Sequence, residues 1–405
     1  MGTVSQLHER IRPPAHRVQS EEEALDIARS LALGFVQQAS DRDINRILPY
    51  DEVEALSQSG LLGISVPSEH GGIDISNCVL AEVIAILAEA DPSIAQILQT
   101  HFHALEAIRI GGGEDQRASL FERAITGDRF GSVLSPPAGN GADQDSLHLA
   151  ADGLGFRLNG RSLPSASILF SDWIALFVPD KRKGLMAAVV SRNTEGIQLI
   201  DDWDGFGQRT SGNGTAILHN LYLNTETVLL HRERLAEPTV IGCVDQLTRA
   251  GINLGIARAA LTATMEFVRA RSHSTDNDSE TRTQSDPLIV TRIGEVAIRI
   301  EAATAMVERA GGKIDAAQIN RTEDHVIDAV LAVAAAQTIT ADIAMEAADT
   351  LFELAGAASA RIGLNLDRHW RNARIHTLHE PARGNFHIVG NYHLNGVKPP
   401  KSSLP

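Results

Sequence analysis

Ala24, Leu25, Ile27, Ala28, Leu31, Phe35 and Val36 recur on one face of a 3.6-residue period, which predicts an amphipathic helix over Glu21–Gln38. A second such pattern covers Asp51–Ser59 and stops at Gly60. The next stretch, Gly60 to Pro67, predicts a strand after that stop. Cys78–Glu89 is apolar on nearly every side, so a helix there belongs inside the molecule. Asp91-Pro92 has the form of a helix start, with proline in the first turn. Gly111–Gly113 marks a turn before a short helix over Glu114–Ala124.

The pattern then shortens. Phe156–Arg161 predicts a strand entering a turn at Asn159-Gly160. Trp173–Val178, Leu185–Val190, Ile197–Ile200 and Thr215–Tyr222 predict further strands with no helix among them, hence a compact antiparallel unit. Long helical patterns return over Val244–Arg271, Pro287–Arg309, Glu323–Ala347 and Asp349–Ala358, which together predict a four-helix bundle. The polar run from His273 to Ser285 predicts a surface loop.

Composition narrows the class. Aromatic residues are 4% of the 405, while the apolar set is 43%, so the core is built from Ala, Leu, Ile and Val, a mixture suited to close helix packing. A net charge of −15 argues against nucleic acid as a partner, because that affinity rests on cations facing phosphates. No stretch reaches the ~20 apolar residues a membrane helix needs, and Met1–Ser20 carries no apolar core of a signal peptide. A cytoplasmic protein is expected, with Cys78 and Cys243 reduced and no metal site from cysteine spacing.

Chemistry concentrates in Leu366–Pro381, where Arg368, Arg371 and Arg374 stand with His369, His376, His379, Trp370 and Glu380. Placing one of only three tryptophans inside a cationic run points to an anion or cofactor site beside a titratable group. His376 and His379 lie three apart, yet neither an HExxH pattern nor a third ligand accompanies them, so a metal pair is not expected.

The order of helices, β unit and bundle resembles the acyl-CoA dehydrogenase superfamily, and within it the flavin-dependent monooxygenase branch. The residues that carry the likeness are Gly60-Leu61-Leu62-Gly63-Ile64-Ser65-Val66-Pro67 with Gly71-Gly72, then Ala90-Asp91-Pro92-Ser93-Ile94, then Asp202–Ser211, and above all Leu366–His379. The resemblance implies a mainly α fold with a central β domain: a helical domain over 1–127, a β domain over 128–235 and a bundle over 236–405. It implies a flavin, FMN before FAD, supplied reduced by a separate flavin reductase, a small organic substrate oxidised with O₂, and a homotetramer. A histidine suits proton handling near neutral pH, and the resemblance sets His379 by the flavin ring. It sets Leu134, Ser135, Ser165 and Ala166 on flavin-contacting loops, Arg271 on the flavin phosphate across a subunit interface, and Arg368 and Trp370 near the cofactor. Arg368, Arg371 and Arg374 stand equally for phosphate contacts or for interface ion pairs.

The departures are specific. Ser135-Pro136 replaces a hydroxyl-glutamate pair, Ala166 replaces a hydroxyl residue, His273-Ser274-Thr275 replaces an Arg-Pro-Trp string, and few aromatic residues remain to enclose a flat substrate. Glu380 offers an alternative: an acyl-CoA dehydrogenase in which this carboxylate removes an α-proton and FAD takes the hydride. The altered loops motivate a third reading, a catalytically degenerate flavin-fold binding protein.

Overall fold

The computed structural model describes residues 3–4, 13–134, 147–180, 184–224, 230, 237–273, 285–378 and 382–399. The helical front comprises α1 (Glu21–Asn45), α2 (Tyr50–Gln58), α3 (Asn77–Ala90), α4 (Pro92–Gly111) and α5 (Glu114–Ile125). Their starts follow the chemistry of the sequence. Ser20 accepts the Glu23 N–H at the head of α1, and Asp91 accepts the Ser93 N–H at the head of α4, where Pro92 has no N–H to satisfy. Gly60–Pro67 is not a strand. Leu61–Gly63 forms a single 3₁₀ turn after Gly60 at φ 82°, and Leu61, Leu62, Ile64 and Val66 are all buried. A short apolar run fits either a strand or a buried turn, and here burial on every side decides.

Two sheets follow. β1 (Thr3–Val4), β3 (His148–Asp152), β4 (Gly155–Arg161), β7 (Ile197–Asp201) and β8 (Thr215–Leu223) form the order β1-β7-β8-β4-β3, while β2 (Phe130–Leu134), β5 (Trp173–Asp180) and β6 (Gly184–Ser191) form β2-β5-β6. The strands expected from sequence pair antiparallel, as expected; a further strand, β2, runs parallel to β5, Phe130 opposite Trp173 through Leu134 opposite Phe177. Such a pair needs a crossover, and β3 and β4, which belong to the other sheet, lie on that path. Asn159-Gly160 is not a hairpin turn either. It is a bulge inside β4, with Gly160 at φ 129° and the register against β8 shifting between Leu158 and Gly160.

The bundle contains α6 (Ile241–His273), α7 (Pro287–Ile319) and α8 (Glu323–Ala355), followed by α9 (Asp367–Leu378) and α10 (Ala382–Asn395). The two helices expected over Glu323–Ala347 and Asp349–Ala358 are one. No capping signal interrupts the chain at Asp349, and the helix runs on to Gly356 at φ 67°. The fourth place against α8 is therefore taken by α9 and α10. α8 is long and apolar enough to cross a membrane by composition, but most of it is buried within the bundle. α3 and α4 pack on α6, so the helical front and the bundle share one apolar core, while the sheets keep a second.

Candidate active site

α4 is buried along almost its whole length, from Ser93 to Ile108, yet it carries Gln96, Gln99, Thr100, His101, His103 and Glu106. Polar side chains at that depth need partners. His101 has two: its Nε2 lies 2.8 Å from the Leu62 carbonyl oxygen, and its Nδ1 accepts the Phe130 N–H at 3.1 Å. It thereby ties α4 to the start of β2, and burial lowers its pKa to about 4. Gln96, Gln99, Thr100 and His103 fall on another face at helical spacing. This polar stripe lines a cavity of about 420 Å³.

The opposite wall belongs to the β domain: Ser132 and Leu134 of β2, with Leu163, Pro164, Ser165 and Ala166 of the loop after β4. Val330, Val333 and Ala334 of α8, with Asn385 and Ile388 of α10, close the cavity on the bundle side. The loop is fixed from behind. The Ser165 N–H donates to the Gly214 carbonyl at 2.8 Å, and the Ser167 N–H donates to Asn213 Oδ1 at 3.1 Å with Ser167 at φ 55°.

The first turns of α6 contribute the charge. Arg249 Nε donates to Asp245 Oδ2 at 2.9 Å, and Gln99 Nε2 donates to Asp245 Oδ1 at 3.1 Å. Burial alone would push the Asp245 carboxyl up, but Arg249, His103 and Gln99 together hold it below its ordinary value, so it is ionised. His103 stacks on Phe177, with ring centroids 5.0 Å apart and planes 21° apart. Burial, reinforced by Arg249 and opposed by Asp245, lowers its pKa and keeps the ring neutral. His103 Nε2 and Gln96 Oε1 are buried without a hydrogen-bond partner among the described residues. Both atoms belong to the stripe that lines the cavity.

Of the residues singled out from sequence, Leu134, Ser165 and Ala166 lie on this wall. Ser135, His379 and Glu380 lie outside the described residues. Arg271 falls in the last turn of α6, and its side chain lies outside them too. Arg368 and Trp370 are not brought to the cavity. Arg368 donates to the Asn365 carbonyl at 3.3 Å and borders a separate void of about 20 Å³, the size of one water, together with Asp91 and His369. Trp370 stacks on Phe206 at 6.2 Å, with the Arg374 guanidinium 5.7 Å from its ring centre. Arg371 forks onto Asp43 at 2.6 and 3.2 Å and also reaches Asp367. Arg371, which also donates to the Phe206 carbonyl, thus joins α9 to the helical front and to the segment after β7, while Arg368 and Arg374 contact Asn365 and Trp370 of their own segment. The residues that sequence reasoning missed are Gln96, Gln99, His103, Asp245 and Arg249. The available signal for the first three was the i, i+3, i+7 polar series on a helix otherwise rich in apolar residues.

A helical front, a β wall and a helical bundle meeting at one polar cavity define an acyl-CoA dehydrogenase-like fold. The family of the acyl-CoA dehydrogenase N-terminal domain matches residues 19–128, and that of its C-terminal domain matches residues 247–383. Over 391 residues the chain is 30% identical to a probable FMNH2-dependent monooxygenase, SfnC, of Pseudomonas putida, covering 94% of this chain and 96% of that one. The methanesulfinate monooxygenase MsuC of Pseudomonas fluorescens superposes with a TM-score of 0.83 at 26% identity, covering 93% and 98% of the two chains. TdsC of Paenibacillus sp. A11-2, solved with FMN and indole, superposes at 0.84 with 24% identity, covering 94% and 99%. The chain belongs to the acyl-CoA dehydrogenase superfamily and, within it, to the flavin-dependent monooxygenases.

Proposed function

We propose that the chain is the oxygenase of a two-component system: it receives reduced FMN from a separate flavin reductase and transfers one atom of O₂ to the sulfur or nitrogen of a small organic molecule. The observation that carries this reading is the cavity between the β wall and the polar stripe of α4, in a chain whose relative SfnC is named for FMNH2 along nearly its whole length. The cavity residues fit a flavin. About 420 Å³ accommodates a flat ring system, and Gln96 Oε1 and His103 Nε2 await hydrogen-bonding edges. When bound, reduced flavin supplies the electrons that activate O₂.

Leu134, Ser165 and Ala166 would hold the ring against the β wall, with Arg271 as the phosphate partner. His103, held neutral by burial, is able to donate or accept a hydrogen bond at Nε2, according to its tautomer, without bringing net charge into the cavity. The Asp245–Arg249 pair gives that wall a fixed dipole with no net charge. The shell of Val330, Val333 and Ala334 keeps bulk water from the bundle side. His379 and Glu380 follow directly on α9 in the chain, and we assign His379 as the proton-handling group. A homotetramer accords with the exposure of Leu288, Ile298 and Leu394 on the bundle helices.

Incubation with FMN, NADH, a flavin reductase and ¹⁸O₂ tests the assignment. One labelled oxygen in the product of a small sulfur or nitrogen compound supports it. Reduction of acyl-CoA-dependent electron acceptors in place of oxygen incorporation overturns it.

A further inference from the structure

Gln208 lies at the centre of a buried chain of hydrogen bonds that crosses the molecule. Its backbone is left-handed, φ 48°, a conformation uncommon outside glycine, and it is held there by the Gln208 N–H donating to Asn372 Oδ1 at 2.6 Å. Its side-chain amide joins His376 of α9 to Gln96 of α4. Donor and acceptor chemistry fixes the direction of every link. The Arg249 carbonyl can only accept, so His376 Nε2, 3.2 Å away, carries the proton. Nδ1 is then the acceptor for Gln208 Nε2, 3.1 Å away. Gln208 Oε1 in turn accepts from Gln96 Nε2 at 2.6 Å. What is left at the cavity end is Gln96 Oε1, buried and without a partner. Rotating the Gln96 amide would set its oxygen against Gln208 Oε1, and rotating the Gln208 amide as well would set that oxygen against the His376 Nδ1 lone pair, so the Gln96 oxygen does not exchange with the nitrogen.

We propose that the His376–Gln208–Gln96 relay sets the hydrogen-bond polarity of the cavity, presenting an acceptor on the α4 wall, and that the substrate of this site carries an N–H or O–H donor for it. This deepens the reading of the cavity as an oxygenase site and rests on it. An acceptor facing an acceptor-only ligand would leave both buried and unsatisfied, whereas an N–H in the same place satisfies both. Gln208 and His376 are positioning residues, because they reach the ligand only through Gln96.

Indole and benzofuran share shape and differ by N–H against O, so they isolate this one contact. Isothermal titration of each into the chain, with and without FMN, reads the ratio of their affinities. The native chain should prefer indole by about tenfold, the equivalent of one satisfied hydrogen bond. Gln208→Leu frees the Gln96 amide to rotate and should bring the ratio to near one. Gln208→Glu keeps an acceptor for Gln96 Nε2, with His376 taking a second proton at Nδ1 to face the carboxylate, and should restore the preference. Gln96→Leu gives the same loss should Gln208→Leu fail to fold. A structural role alone would weaken both probes together and leave the ratio unchanged, which overturns the proposal. A native ratio near one, or binding of neither probe, overturns it as well. Failure to bind FMN while indole is still preferred would count against the oxygenase reading and leave the relay standing.

Discussion

Asp245 and Arg249 stand one helical turn apart on α6, carboxylate to guanidinium at 2.9 Å, and both face the cavity wall beside His103. The pair is largely buried, so each member depends on the other. Asp245→Asn leaves the guanidinium without its counter-charge and should lower unfolding free energy by about 3 kcal/mol, as for one partner removed from a buried pair. Adding Arg249→Met should recover part of that loss. Denaturant unfolding of the single and double variants checks this, and strictly additive losses would show the two side chains to be uncoupled.

His103→Phe keeps the stack on Phe177 and deletes only the nitrogens. Turnover with reduced FMN should fall by about tenfold or more, while the unfolding midpoint moves little. Steady-state rates beside a thermal melt separate the two effects. His101→Phe should do the reverse, because both nitrogens of His101 are spent on Leu62 and Phe130.

Stability should fall as pH drops from about 6.5 towards 4. His101, His103 and His369 all have folded-state pKa values below the ordinary 6.5, His101 at about 4 and His369 at about 3, with burial the first cause in each and Arg368 and Arg371 adding to it at His369. The unfolded chain therefore takes up protons in this window that the folded chain refuses. Each ring contributes a loss on the order of 1 kcal/mol per pH unit. Urea unfolding from pH 7 to 4.5 measures the slope, and His369→Asn should make it shallower by one proton.

Gly311 and Gly312 are neighbours on α7 with opposite surroundings. A Cβ on Gly311 would lie 2.6 Å from the Cys78 backbone nitrogen, while one on Gly312 meets nothing within 4 Å. Gly311→Ala should destabilise by about 1–3 kcal/mol by prising α7 from α3. Gly312→Ala should be neutral or stabilise by up to about 1 kcal/mol, since alanine is the better helix former. Thermal melts of both decide it.

Much of this architecture is written locally. The helices expected to begin at Glu21, Asp91-Pro92, Pro287 and Glu323 begin there, and Ser20, Asp91, Asp286 and Thr322 cap them. What was not legible depends on distant partners. The parallel pairing of β2 with β5 has no local signature, because a strand pattern does not say which neighbour it meets. Arg371 stood equally for a phosphate contact or an interface ion pair, and one of its counter-charges, Asp43, lies 328 residues away in the same chain. The cavity wall was hidden for a related reason. Gln96 and His103 read as ordinary polar positions until the burial of α4 on all sides makes them exceptional. The resemblance to flavin-dependent monooxygenases drew on Leu366–His379, whereas the described cavity is built mainly from α4, α6 and the loop after β4.

The central claim is that reduced FMN binds in the cavity between the loop after β4 and α4. Anaerobic titration of reduced FMN into the native chain and into Ala166→Trp, which fills the β wall, tests it most directly. The expected result is saturable binding at one site per chain in the native protein, lost or weakened by at least about a hundredfold in Ala166→Trp with its fold intact. No binding to the native chain, or equal binding to both, would contradict it.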